Sequence, residues 1–215
     1  MHDLTFYIKA FVTLLVLVNP LEGIPVFLAA TESVEGSLRT AIARRTSVGV
    51  ITILLVSLFM GRAMLEIFSI SPGAFQIGGG VILFLIAVKM ILGPGGGAAF
   101  SQMAGGKITL QFALVPLAIP LLAGPGAING AVLYGTRTHS IWQMLILGGV
   151  IVIVGIATYG CLRAAEPLVR YLKDSGISIA TRIMGLIIAA ISVEMVLHGI
   201  SAVFNLKMTE NISSF

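Results

Sequence analysis

From Lys107 to Arg137 the chain passes through 29 consecutive residues without a charged side chain, from Arg137 to Arg163 through 25 more, and from Glu66 to Lys89 through 22. Runs of this kind dictate the solvent. About 20 apolar residues at 1.5 Å each span the hydrocarbon of a bilayer as a helix. In water, a domain of 215 residues would need a charged surface that these runs withhold. The whole chain is 57% apolar and 10% charged, with a mean hydropathy of +1.05, against about 25% charged for an average soluble domain. This excludes a soluble enzyme, a disordered tail and a nucleic-acid binder, in spite of a pI near 9.5. The fold class expected is an all-α polytopic membrane protein, with lipid as a partner and no nucleic acid.

Three spans follow directly, near 70–92, 108–135 and 140–162. A fourth runs from Thr46 to Leu65, where Arg62 can snorkel to the headgroups. Two more, near 4–30 and 178–204, are each interrupted by one acid, Glu22 and Glu194. Six transmembrane helices are expected. The first span is read as a retained helix rather than a signal peptide, because Asn19-Pro20 breaks it early and little positive charge precedes it. Even-numbered crossings put Lys9, Arg62, Arg137 and Lys207 on one side and Arg39, Arg44, Arg45, Lys107, Arg163, Arg170, Lys173 and Arg182 on the other. The positive-inside rule then places the second group in the cytoplasm and both termini outside, in a multi-pass protein of the cell's inner membrane.

The chain also repeats itself. At an offset of 100, Pro20, Leu21 and Pro25 of NPLEGIPVF meet Pro120, Leu121 and Pro125 of IPLLAGPGA; at 105, Gly80, Ile82, Ile86, Val88, Met90 and Leu92 meet Gly185, Ile187, Ile191, Val193, Met195 and Leu197. The expected organisation is a three-helix repeat over 1–92, a Gly-rich linker at 93–107, a second repeat over 108–204 and a tail at 205–215. Three helices is an odd number, so the second copy enters from the opposite side and the repeats are inverted. In each copy the first helix is expected to break near the midplane. Each proline removes an N–H and clashes with the preceding turn, and Gly23, Gly124 and Gly126 ease irregular backbone. Half-helices starting near Pro25 and Pro125 would expose N–H groups and a positive dipole end to a carboxylate, leaving freed carbonyls for an ammonium group.

These residues resemble a known family. Asn19-Pro20 with Pro25, the run PLAIPLLAGPGAI at 116–128 and GGGVILFLIAVKMI at 78–91 are similar to the MarC family of bacterial and archaeal inner-membrane proteins, in the same order over essentially the whole chain. The resemblance implies six helices and transport or export of small neutral amino acids such as glycine and alanine. It carries Asn19, Pro20 and Pro25, and Pro120, Gly124, Pro125 and Gly126, into the site. One departure stands out: the family's first motif reads Asn-Pro-x-Gly-x-x-Pro, whereas Glu22 holds the glycine place here and Gly23 follows.

The substrate-binding set expected is thus Asn19, Pro20, Glu22, Gly23, Pro25, Pro120, Ala123, Gly124, Pro125 and Gly126, with no catalytic residue, metal or organic cofactor. Glu22 sits inside the first break, which leaves coupling to H+ or Na+ open. Asn19 and Asn129 flank the two breaks and their amides suit exposed backbone or substrate. Lys89 is expected to snorkel and not to meet Glu194. Glu194 and His198, at i and i+4, share a helix face as a hydrogen-bonded pair, with a proton relay as the functional alternative. Gln76 and Thr109 are read as interfacial, Trp142 as an anchor at the membrane boundary, and Cys161 as a small apolar residue.

An intramembrane protease is excluded, since neither Asp3 nor Asp174 is mid-membrane and no His-Glu-x-x-His helix is present. The function expected is a secondary transporter, exporter or exchanger, alternating access around the two breaks. A channel or a structural membrane subunit is the alternative class, and a homo-oligomer is left open.

Overall fold

A computed structural model describes residues 2–31, 36–92, 122–138 and 140–204. They form seven helices: α1 (His2–Val18), α2 (Pro20–Thr31), α3 (Gly36–Ile67), α4 (Pro72–Leu92), α5 (Pro125–Thr136), α6 (Ile141–Arg163) and α7 (Ala165–Phe204). Five segments are long and apolar enough to cross a bilayer: Leu4–Ile24, Gly36–Ile67, Pro72–Leu92, Ile141–Arg163 and Ser178–Phe204. The sixth expected span, near 108–135, lies mostly outside the described residues, as do the 93–107 linker and the 205–215 tail; α5 is its described end. Two helices are longer than the charge spacing suggested. α3 takes in Arg39, Arg44 and Arg45 in its first turns, and α7 begins thirteen residues before Ser178, because basic residues are good helix formers once the helix has left lipid.

The apolar surface is turned outward. Phe59 and Met60 on α3, Phe84 and Leu85 on α4, Ile153 and Ile156 on α6, and Ile183 and Leu186 on α7 are exposed, as lipid-facing side chains are in a solvent without a hydrophobic drive between helices. Close approach of backbones must then hold the bundle. α4 and α7 form its tightest pair. Gly73, Gly80 and Ala87 recur every seven residues on α4, and Gly185, Ser192 and Gly199 do so on α7, the spacing of a left-handed helix pair. A Cβ added at Gly80 would lie 2.8 Å from the Ser192 carbonyl oxygen, and one at Gly199 2.7 Å from that of Gly73. Gly73 beside Gly199, and Gly185 beside Ala87, make the pair antiparallel. Lys89 and Glu194 consequently sit at different levels and make no ion pair, as expected.

The centre is α5. Only 12 residues long, it extends about 18 Å at 1.5 Å per residue, short of a bilayer crossing. It is buried almost all round, which marks a core helix: Gly130 meets Leu14 and Leu17 of α1, Gly61 of α3 meets Val132, and Gly126 meets Leu83 of α4. Chain direction puts the α3–α4 turn, the end of α5 and the end of α7 on one face, called here the Arg137 face. The end of α2, the start of α3 and the α6–α7 junction lie on the other, the Arg39 face.

Candidate functional site: two helix interruptions between two polar cavities

The α1–α2 interruption follows from a single dipeptide. Proline disfavours helical backbone in the residue before it, and asparagine is among the few residues that tolerate the left-handed region. Asn19 has φ 44°. Its N–H still bonds the Leu15 carbonyl at 3.0 Å, closing α1, and its own carbonyl accepts from Glu22 N–H at 3.1 Å, opening α2. Pro20 is the first residue of α2, where the missing N–H costs nothing. The half-helix therefore begins at Pro20 and not near Pro25, which lies inside α2. Gly23 is helical too, and no described glycine has a positive φ. Its use is close approach, not irregular backbone.

Glu22, in the place of the family's glycine, occupies the first turn of α2, where the positive end of the helix dipole favours a carboxylate. Its Oε2 accepts from Asn19 Nδ2 at 3.1 Å. The departure from the motif thus adds a side-chain hydrogen bond between the interruption and the first turn of α2. The Asn19 side chain is 4% exposed and its Oδ1 has no partner.

The second expected interruption falls at the start of α5, and the chain before Leu122 lies outside the described residues. Gly124 caps the helix with extended backbone (φ −72°, ψ 175°) and no side-chain hydrogen bond, and Pro125 is the first helical residue, as expected. Gly126 lies inside α5, where a Cβ would overlap Leu83. Pro120 lies outside the described residues. Ala123 and Leu122 are buried, and Leu122 packs onto Gly23, where an added Cβ would be 2.9 Å from Cδ2. The first turn of α2 therefore touches the segment that leads into α5. Where a substrate was expected between them, Leu122 fills the contact, and the polar cavities open instead toward the two faces.

Asn129, one turn into α5, is 2% exposed. Its Nδ2 donates to the Phe75 carbonyl of α4 at 2.9 Å, and its Oδ1 has no partner. A Cβ at Gly79 would overlap this amide, so α4 approaches α5 only because position 79 is bare. A buried acceptor without a donor carries a desolvation cost of about 1–3 kcal/mol. Asn19 and Asn129, one at each interruption, are the two such side chains among the described residues.

The cavity on the Arg137 face holds about 420 Å³ and is lined by Thr13 of α1, Gln76 of α4, Tyr134 and Arg137 at the end of α5, and Glu194 and His198 of α7. The Tyr134 hydroxyl donates to Thr13 Oγ1 at 3.1 Å. His198 Nδ1 lies 2.9 Å from the Glu194 carbonyl and 3.2 Å from its Oε1, as the i, i+4 spacing implied. Gln76, one turn into α4, is buried against this space; Thr109 lies outside the described residues. The Arg39 face is more closed. Arg39 pairs with Glu166 of α7, donates through Nε to Thr31 Oγ1 of α2 at 2.9 Å and lies 5.9 Å from the Phe27 ring centroid. Arg163 of α6 donates to Thr40 Oγ1 at 2.6 Å. Four helix ends are tied around a cavity of about 160 Å³.

Thr13, Tyr134 and Arg137 escaped the reading from sequence, because a hydroxyl inside a span and an arginine at its end look like ordinary helix and topology features. The signal was present in α7, whose one intramembrane acid demanded a polar neighbour from some other helix.

Comparison with known proteins agrees with the motifs. The sequence pattern described as MarC family integral membrane protein matches residues 4–204. The UPF0056 membrane protein YhcE of Escherichia coli is 37% identical over 204 residues, covering 94% of this chain and 95% of the relative. A UPF0056 membrane protein of Methanocaldococcus jannaschii is 36% identical over 200 residues, covering 92% and 97%. No solved structure matches.

Proposed function

This chain belongs to the MarC family of integral membrane proteins, and from that premise we propose that it is a secondary transporter of small neutral amino acids such as glycine and alanine, working by alternating access and not an enzyme. The observation that carries the reading is the contact of the α1–α2 interruption with the start of α5, through Gly23 and Leu122, with an open polar cavity toward one face and a tied, smaller one toward the other. Irregular backbone inside a bilayer persists only beside protein or an aqueous space, and alternating access needs such a barrier with a cavity on either side. The two halves supply a matching pair of moving parts. α2 and α5 are each 12 residues long, each begins on proline and ends on threonine, and they are related by the same offset of 105 that aligns α4 with α7. In inverted repeats, such half-helices trade roles as one cavity closes and the other opens.

In this reading the Arg137 face is extracytoplasmic, the membrane is the cell's inner one, and the Arg39–Glu166 tie holds the cytoplasmic side shut. Gly23, Gly124 and Gly126 keep the way past Leu122 narrow, which favours substrates with little or no side chain.

Counterflow in proteoliposomes tests it. Vesicles loaded with unlabelled glycine or alanine are expected to accumulate labelled amino acid transiently above its equilibrium level. A pore would only equilibrate it, and the absence of flux for every small neutral amino acid would refute the proposal.

A further inference from the structure

The charges around the larger cavity are arranged as a pair of opposite poles. Arg137 ends α5 and Glu194 stands on α7, and these two helices are not packed on each other; α1 and α4 form the remaining walls. Arg137 has no side-chain hydrogen bond or ion pair among the described residues. Glu194 is half-exposed, with Oε1 3.2 Å from His198 Nδ1, whose hydrogen bond goes to the Glu194 backbone carbonyl at 2.9 Å. Elsewhere in the described residues the pattern is the reverse, with Arg39 on Glu166 and Arg62 on Glu66. In a chain this poor in charge, an acid inside a span faces a cavity or a partner. Here a guanidinium with no partner among the described residues lines the same cavity.

We infer that this cavity is a recognition site for zwitterionic solutes, in which the Arg137 guanidinium takes a carboxylate and Glu194 takes an ammonium group. The assignment rests on the transport reading for its role, and on the cavity for its chemistry. Arginine presents two parallel N–H donors that match a carboxylate, and it stands where the negative end of the α5 dipole already favours a cation. His198 lies beside Glu194 on the same helix face, its Nδ1 3.2 Å from Oε1. Tyr134, Thr13 and Gln76 offer neutral donors and acceptors between the poles, suited to the waters that accompany a small solute. About 420 Å³ is several times the room one water needs. An anion would answer Arg137 alone and a cation Glu194 alone; only a molecule carrying both charges answers both.

Labelled glycine binding to the purified protein, with acetate and ethylamine as competitors, tests the inference. Arg137→Gln and Glu194→Gln are each expected to weaken glycine binding at least tenfold, Arg137→Lys to retain more of it than Arg137→Gln, and acetate and ethylamine to compete at least tenfold less well than glycine. Should both charge-removing variants fail to elute as folded protein, the competitor series on the unaltered protein still decides. Acetate or ethylamine competing as well as glycine overturns the inference, as does glycine binding indifferent to both substitutions. Glycine bound with these dependences but never exchanged across vesicles would refute the transport reading and leave the site standing; exchange indifferent to both substitutions would do the opposite. A protein that neither binds nor exchanges glycine overturns both.

Discussion

Asn19→Gly is expected to give a protein that inserts, folds and loses at least tenfold in glycine exchange, whereas Asn19→Ala is expected to lose stability as well. The two substitutions separate what the backbone needs from what the side chain does. At φ 44° glycine meets no steric objection, while an alanine there costs about 1–2 kcal/mol. Both remove the donor to Glu22 Oε2 and both remove the unpartnered Oδ1 that stands beside the contact of the two interruptions. If the asparagine only shapes the backbone, glycine restores function. If its amide meets the passing solute, glycine restores the fold alone. Thermal unfolding in detergent together with counterflow distinguishes the cases, a loss of about 1–2 kcal/mol corresponding to a few degrees for a chain of this length. Full exchange by Asn19→Gly would remove the side chain from the site.

Gly79→Ala is expected to be as damaging, and Asn129→Ala to repair it. The new Cβ overlaps the Asn129 amide, so the substitution must break the bond to the Phe75 carbonyl or push α4 away from α5; overpacking of this kind costs about 1–3 kcal/mol. With alanine at 129 the obstruction is gone, and so is the unpartnered Oδ1. The double variant is then expected to be more stable than Gly79→Ala, a coupling that neighbouring residues show and distant ones do not. Its transport should remain low, since Asn129 is absent. Additive losses of stability would mean that α4 and α5 do not meet through this pair.

The solvent, the all-helical class and most span positions were legible in the chain because charge-free runs of span length have no other economical fold. The first interruption was also legible, but its position was displaced by a turn. Two prolines five residues apart invite a start at either, and Asn19, by tolerating the left-handed region, decides for Pro20. The glycines misled for a related reason. A glycine in a membrane helix signals either loose backbone or a tight approach, and Gly23 and Gly126 turn out to be approaches to Leu122 and Leu83. The polar cavity was the least legible part. Its lining comes from four helices far apart in sequence, and nothing local in Thr13, Gln76 or Arg137 says that they share a wall with Glu194. Only packing brings them together, through the heptad-spaced small residues of α4 and α7 and the largely buried α5.

If the chain works by alternating access as proposed, an aqueous route runs past the contact of Gly23 with Leu122 and opens to one face at a time. A single cysteine at position 22, made as Glu22→Cys in a Cys161→Ser background, places a reporter at the first interruption and removes the chain's one native thiol. Its reaction with a membrane-impermeant thiol reagent is then measured from each side of oriented vesicles, with and without glycine. The account predicts labelling from both faces, slowed by glycine, with Glu166→Gln raising the rate from the Arg39 face as its tie is loosened. A thiol that stays unreactive from both faces, under every condition in which the protein is folded, would contradict it.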